Sequence, residues 1–379
     1  MKTNLIQAAV AVLTLAAAGY AQLSTSVKSY AQQLVEFDVP RAAMVSSPVC
    51  APLCGTVAYA NNSEGAIVGS YTDKNVVPHG FLRTVDGNII SFDAPGAGLG
   101  ADLDQGTVAY SINDLGVIAG QFEDSNNVFH GFVRYSDGHF AIFDAPGAGT
   151  GAGQGTLAFN INLEGATAGV YFDGNFGEHG FVRSGNGGIA IFDPAGSVGT
   201  MVCEETCINL EGQITGFYVD ANNTIHGFLR EPDGTITPFD APGAGTGNFL
   251  GTIAASINLE GEITGYFVDS NNLAHGFVRT PGGKFTSFEV PGSTTNSGEG
   301  TAVFSINLLG TVTGEFLDSS SAMHGFSRSP FGGFVTFDAP GAGTGAGQGT
   351  RPSTNNLEGV VVGWYVDANS LNHGFLWRP

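Results

Sequence analysis

Seven histidine–aspartate couples are the residues best suited by type and spacing to do chemistry. Histidine stands in a His-Gly-Phe triplet at His79, His130, His179, His226, His275, His324 and His373. An aspartate precedes each by six residues, at Asp73, Asp124, Asp173, Asp220, Asp269, Asp318 and Asp367. A carboxylate beside an imidazole can work as an acid–base couple, and several of each can hold a metal. One active site, however, is not built from seven identical dyads spread evenly along a chain. A residue present in every copy is better explained by a need common to every copy. These residues are therefore expected to hold the hairpin and the glycine-rich loop beside them.

Other motifs carry weaker chemistry. The cysteines form two Cys-x-x-x-Cys pairs, Cys50/Cys54 and Cys203/Cys207. Four cysteines allow three pairings, and local pairing is expected because the pairs fall in distant parts of the chain. A disulfide closing so small a loop contributes about 2 kcal/mol in the chain-entropy picture, enough to pin a loop but not to hold a fold. A zinc site lacks a second half nearby. Glycine runs such as Gly147–Gly155 resemble a phosphate-binding fingerprint, but no helix follows them.

The elements that must position these residues follow from the spacing. The histidines lie 51, 49, 47, 49, 49 and 49 residues apart. Asn-x-x-Gly precedes each couple, starting at Asn62, Asn113, Asn162, Asn209, Asn258, Asn307 and Asn356. Repetition at this period marks a solenoid or a propeller. Within residues 106–146, strands are predicted over 107–112, 117–123, 129–135 and 139–144, separated by Asn/Asp/Gly turns. Four short antiparallel strands per repeat make a propeller blade. Phe-Asp-x-Pro or a close variant also occurs seven times, starting at Phe37, Phe92, Phe143, Phe192, Phe239, Phe288 and Phe337. It is offset in phase, so a lone fourth strand over 35–40 precedes the first full repeat and the last repeat lacks one. The expected fold is all-β: a seven-bladed propeller closed when strand 35–40 completes the last blade, leaving no open edge.

Asn-x-x-Gly, then Gly-x-Tyr or a similar pair, then His-Gly-Phe-hydrophobic-Arg resembles the bacterial extracellular HAF repeat. Glycine replaces the family's alanine in every copy, and only His373-Gly374-Phe375-Leu376-Trp377 keeps the Leu-Trp ending. The resemblance spans residues 35–378. It implies export and a propeller-type repeat, and no particular reaction.

Bulk properties narrow the function. The net charge is −21 and no cluster of Lys or Arg is present, which excludes phosphate-backbone binding. Residues 1–21 read as a signal peptide, with Lys2, an apolar run over 5–18, and Gly19-Tyr20-Ala21 as the cleavage site. The run is too short to span a bilayer. Residues 22–34 are expected to be a linker, and the mature protein a monomer without a membrane span, periplasmic or extracellular.

Within each repeat, the Arg two residues after the Phe (Arg83, Arg134, Arg183, Arg230, Arg279 and Arg328) is expected to pair with fourth-strand acids such as Asp93 and Asp144. The motif phenylalanines are expected between blades. The inter-blade linkers differ most and ring one mouth of the central channel. Asp102, Asp104, Glu204, Glu205, Glu299 and Arg351 are the candidate ligand-binding residues there, with Arg41 a further basic exception. No catalytic residue and no cofactor is expected. Oxygen ligands would suit calcium, but no EF-hand-like run supports it. The reading is a non-catalytic binding or scaffold module with a glycan or an envelope or extracellular protein as partner. The alternative is a carbohydrate-active enzyme, a lyase or hydrolase, using carboxylates on the linker face.

Overall fold

The computed structural model describes residues 33–44, 54–100, 105–203 and 206–379. The proposed signal peptide, Cys50, Asp102, Asp104, Glu204 and Glu205 lie outside them. Among the described residues there are 28 strands and no helix. β1 (Gln33–Phe37) stands alone at the start. A first set of four follows: β2 (Gly55–Asn61), β3 (Ile67–Thr72), β4 (Pro78–Arg83) and β5 (Ile89–Phe92). The second is β6 (Gly106–Ile112), β7 (Ile118–Glu123), β8 (Phe129–Arg134) and β9 (Phe140–Phe143). The third is β10 (Gly155–Ile161), β11 (Thr167–Phe172), β12 (Glu178–Arg183) and β13 (Ile189–Phe192). The fourth is β14 (Ser197–Val202), β15 (Ile214–Asp220), β16 (Ile225–Arg230) and β17 (Ile236–Phe239). The fifth is β18 (Gly251–Ile257), β19 (Ile263–Val268), β20 (Ala274–Arg279) and β21 (Phe285–Phe288). The sixth is β22 (Thr301–Ile306), β23 (Val312–Leu317), β24 (Met323–Arg328) and β25 (Phe334–Phe337). Last come β26 (Gly349–Asn355), β27 (Val361–Val366) and β28 (Asn372–Arg378), and β1 pairs with β28.

Within a set, each strand pairs antiparallel with the next. First strands other than β14 are mostly buried and pack on first strands of neighbouring sets, β2 against both β6 and β26. Fourth strands are the most exposed. Five of the sets, all but the second and fourth, join the one before them through one parallel bridge at the start of the first strand, as at Gly155 opposite Phe129. Only glycine fits such a seat. At Gly155 φ is +120°, and a Cβ would lie 2.1 Å from the Phe129 carbonyl oxygen.

The motifs become cores by register. The His-Gly-Phe phenylalanine is fully buried in every copy. Its glycine lies under the fourth-strand phenylalanine: a Cβ on Gly131 would sit 2.7 Å from the Phe143 ring. Fourth-strand rings then meet the buried phenylalanine of the following set edge-on, Phe92 against Phe132 at 6.4 Å. This is the packing between repeats expected of these residues.

The expected arginine–acid pairs do not form. Gly131 lies opposite Phe143 and Arg134 opposite Phe140. Asp144 therefore comes level with His130, four residues or about 13 Å along the strand from Arg134. The guanidinium instead stacks on the preceding set's fourth-strand ring: Arg134 on Phe92 at 4.8 Å, Arg230 on Phe192 at 4.9 Å and Arg328 on Phe288 at 4.5 Å.

The Asn-x-x-Gly turns tie the sets together at their inner ends. Each asparagine Oδ1 accepts a backbone N–H from its own turn, as Asn62 does from Ala66 at 2.9 Å. Its Nδ2 donates to the backbone carbonyl of the next asparagine in the series. Asn62 donates to Asn113, Asn113 to Asn162, Asn162 to Asn209 and Asn209 to Asn258. Asn258 donates to Asn307, Asn307 to Asn356, and Asn356 back to Asn62 at 3.1 Å.

Candidate functional site

Each repeated histidine is held on three sides. Its Nδ1 meets the fourth-strand acid, as in His79–Asp93 at 2.8 Å and His179–Asp193 at 2.7 Å, and His275 meets Glu289 in the same way. In the last set the acid is Asp38, 3.0 Å from His373 and supplied by the chain following β1. Nε2 faces the hairpin aspartate at 3.4–3.8 Å, the extremes being His324–Asp318 and His130–Asp124. The ring stacks on a second-strand aromatic residue, as on Tyr71 at 5.1 Å and Phe122 at 4.9 Å. The hairpin aspartates accept two backbone N–H bonds each, Asp173 from Asn175 and Gly177. Those bonds lower the Asp173 carboxyl below the ordinary range. The Asp93 bond raises His79, and the Asp38 bond raises His373. Both nitrogens of each ring face carboxylates of the same set. No group of three His, Cys, Asp or Glu suited to a metal occurs among the described residues.

The candidates singled out from the linkers divide. Glu299 accepts from the Ser321 hydroxyl. It stands at the residue before the first-strand glycine, where other sets place Gln105, Gln154 and Gln348. Those glutamines accept linker N–H groups from Gly100, Gly151 and Gly345 at 2.9–3.0 Å. Arg41 is exposed. Arg351, on β26, is the candidate that the packing draws into a cluster. Its Nε donates to Glu315 Oε2 on β23 at 3.1 Å, and its guanidinium lies 5.2 Å from the Trp364 ring on β27.

From there an arc of rings crosses the inner strands. Trp364 meets Tyr59 of β2 at 5.9 Å, Tyr59 meets Tyr110 of β6 at 4.9 Å, and Tyr110 meets Phe159 of β10 at 5.2 Å. Tyr59, Tyr110, Arg351 and Trp364 all keep part of their surface in solvent. Glu315 does not: it is 6% exposed, and burial pushes its carboxyl up while Arg351 pulls the other way.

The second arm of the arc ends on the disulfide. Cys203 and Cys207 are bonded, both are buried, and both pack with Phe159. Cys54 is not a free thiol either. The Cys203–Cys207 loop was expected in a linker, and it is not there. It follows β14, at the point where other first strands carry a one-residue bulge, such as that between Ala109 and Ser111. The linker before β14 is shorter than its counterparts and the three residues 204–206 are inserted at the bulge. Asn160 clamps the loop from one side, donating to Cys203 O at 2.8 Å and accepting from Cys207 N at 3.0 Å. On the other side Thr206 forms a parallel bridge with Ser256 and reaches the Ser305 hydroxyl at 3.5 Å. The loop thus touches the third, fifth and sixth sets.

The strand signal for this cluster is present in the sequence. Between the second-strand glycine and the following Tyr or Phe stand Ser70, Gln121, Val170, Phe217, Tyr266, Glu315 and Trp364. Seven different residues occupy this position, as they do the position before each histidine, from Pro78 and Phe129 to Met323 and Asn372. Reading the repeats column by column would have exposed Glu315 and Trp364; looking for irregular linkers passed over them. Two grooves of about 240 and 280 Å³ flank the first set and share Glu64 and Val85, and neither includes any of these residues.

No family model matches the chain, and no curated protein matches it. Solved structures do. The BP39L lectin from Burkholderia pseudomallei superposes with a TM-score of 0.55 at 10% identity, over 85% of this chain and 97% of that one. The chain has a β-propeller fold. A streptogramin B lyase structure agrees at TM-score 0.52 and 14% identity, over 91% of this chain and 97% of that one. A puromycin hydrolase does so at 0.52 and 13%, over 87% of this chain and 54% of that one. These likenesses show the fold alone, so function has to be argued from the site.

Proposed function

We propose that this β-propeller has seven blades, closed when β1, two to three residues upstream of the expected strand 35–40, completes the last one. The cycle of asparagine bonds that returns to Asn62, the β1–β28 pairing and the Asp38–His373 contact support that reading. In it, the repeated His and Asp residues are scaffold. Each clamps a hairpin to a fourth strand within its own blade, and none is free for a substrate.

On that scaffold we infer a non-catalytic binding module, exported to the periplasm or outside, for a glycan or an envelope or extracellular protein. The observation that carries it is a cluster on non-repeating positions, in which Arg351 meets Glu315 and Trp364 and the rings of Tyr59 and Tyr110 continue from Trp364. Structural positions repeat here, and recognition needs positions that do not. Aromatic faces with a few fixed polar groups are the usual make-up of a ligand site. A glycan array probed with the purified chain tests this. Retention of defined saccharides, lost in Trp364→Ser, is expected. Absence of any retained saccharide or protein partner would contradict it. Trp364→Ser is chosen because Ser70 already fills the same seat in the first blade.

A carbohydrate-active enzyme is the second reading, favoured by one observation. Glu315 is a buried carboxyl that burial holds above the ordinary carboxylate range despite the arginine beside it, a setting suited to general acid–base work. Product release from a polysaccharide panel, abolished in Glu315→Gln, would establish it. Binding without turnover would leave the non-catalytic module.

A further inference from the structure

We propose that Arg351 anchors a carboxylate-bearing sugar, a uronate unit of an acidic glycan. This deepens the glycan reading above and rests on it. Two contacts fix the guanidinium: Nε on Glu315 at 3.1 Å and the face on Trp364 at 5.2 Å. They use one of its five N–H donors. Both Nη groups remain, and 39% of the side chain is in solvent. A planar fork fixed through Nε and partly in solvent matches a carboxylate through two parallel N–H···O bonds. A carboxylate adds the opposite charge and a second, parallel bond that a lone hydroxyl cannot offer, so this seat discriminates acidic from neutral sugars.

Glu315 orients the fork and is too buried to be the ligand contact. Tyr59 and Tyr110 continue from Trp364 as partly exposed rings. Their solvent-exposed parts add aromatic surface for a rigid pyranose ring next to its carboxylate. An acidic peptide also brings carboxylates, but on flexible side chains with no flat ring to lay on that arc. With a net charge of −21, the molecule as a whole repels any anion, so a bound anion has to be held by a local seat.

The test is calorimetric titration of the full chain with tri-galacturonate, with the matched neutral trisaccharide and with an oligo-glutamate peptide. Tri-galacturonate is expected to bind at least about tenfold more tightly than the neutral sugar, the loss of one charge-assisted hydrogen bond. Arg351→Lys, which keeps the charge and loses the fork, is expected to remove that preference. Arg351→Gln with Glu315→Gln removes both charges together and is expected to do the same, with folding checked by the unfolding midpoint. If both sugars bind alike and Arg351→Lys changes nothing, the uronate assignment is overturned and the glycan reading stands. If the folded chain binds neither sugar, or binds only the peptide, the glycan reading fails as well.

Discussion

At the scale of single residues, what decides a role here is which neighbour the register supplies. Arg351 and Arg134 are both arginines of regular strands, yet one meets a buried carboxylate and the other a phenylalanine ring. Removing one partner of a buried pair is costly because it strands the other. Arg351→Ala is expected to destabilise the fold by about 2 kcal/mol, below the ~3–5 kcal/mol of a fully enclosed pair because Arg351 is partly in water. Adding Glu315→Gln should restore most of the loss, measured by urea unfolding. The single variant should also regain stability as pH falls. Glu315 is raised in the folded state, so the folded chain binds its proton first and acid favours it. Gly131→Ala makes a different demand. Its Cβ would press on the Phe143 ring at 2.7 Å, and overpacking of this kind costs about 1–3 kcal/mol.

At the scale of elements, the histidine clamps make stability depend on pH from both sides. His79, His324 and His373 are raised above their ordinary value of 6.5. Their contribution is complete below pH 6.5 and is lost as pH rises through the folded values. Hairpin aspartates such as Asp173 and Asp220 are lowered below 3.8 by backbone N–H bonds. Their contribution is complete above that value and fades as pH falls through the folded ones. The melting temperature should therefore peak in mildly acidic buffer, between about pH 4.5 and 6.5. A scan with its maximum above pH 8 would contradict the clamps.

Much at this scale was legible beforehand. Strands predicted over 107–112, 117–123, 129–135 and 139–144 differ from β6, β7, β8 and β9 by one residue at most at either end. Alternation and turn chemistry fix such elements locally. The acid assigned to Arg134 was wrong because pairing depends on register, which local pattern does not determine. The 204–206 insertion was read as linker because a shortened linker before it nearly restores the period. Glu315 and Trp364 were missed because their partners lie in neighbouring sets.

At the scale of the molecule, the expected closure rests on one short strand. β1 covers β28, and Asp38 completes the last histidine clamp. Deleting residues 22–40 should expose a hydrophobic edge at Phe375 and Trp377, both now buried. The expected result is aggregation or a broadened unfolding transition. Sharp unfolding at the original midpoint would argue against the closed ring.

The central claim is a division of labour: repeated positions hold the propeller, and non-repeating positions of its first and second strands recognise the ligand. The most direct measurement sets Trp364→Ser beside His226→Gln and reads both the affinity for the saccharide retained best on the array and the unfolding midpoint. The account predicts that Trp364→Ser loses binding at least about tenfold with its midpoint nearly unchanged, whereas His226→Gln keeps its affinity and is less stable by about 1 kcal/mol. The reverse pattern, with binding lost at His226 and retained at Trp364, would contradict it.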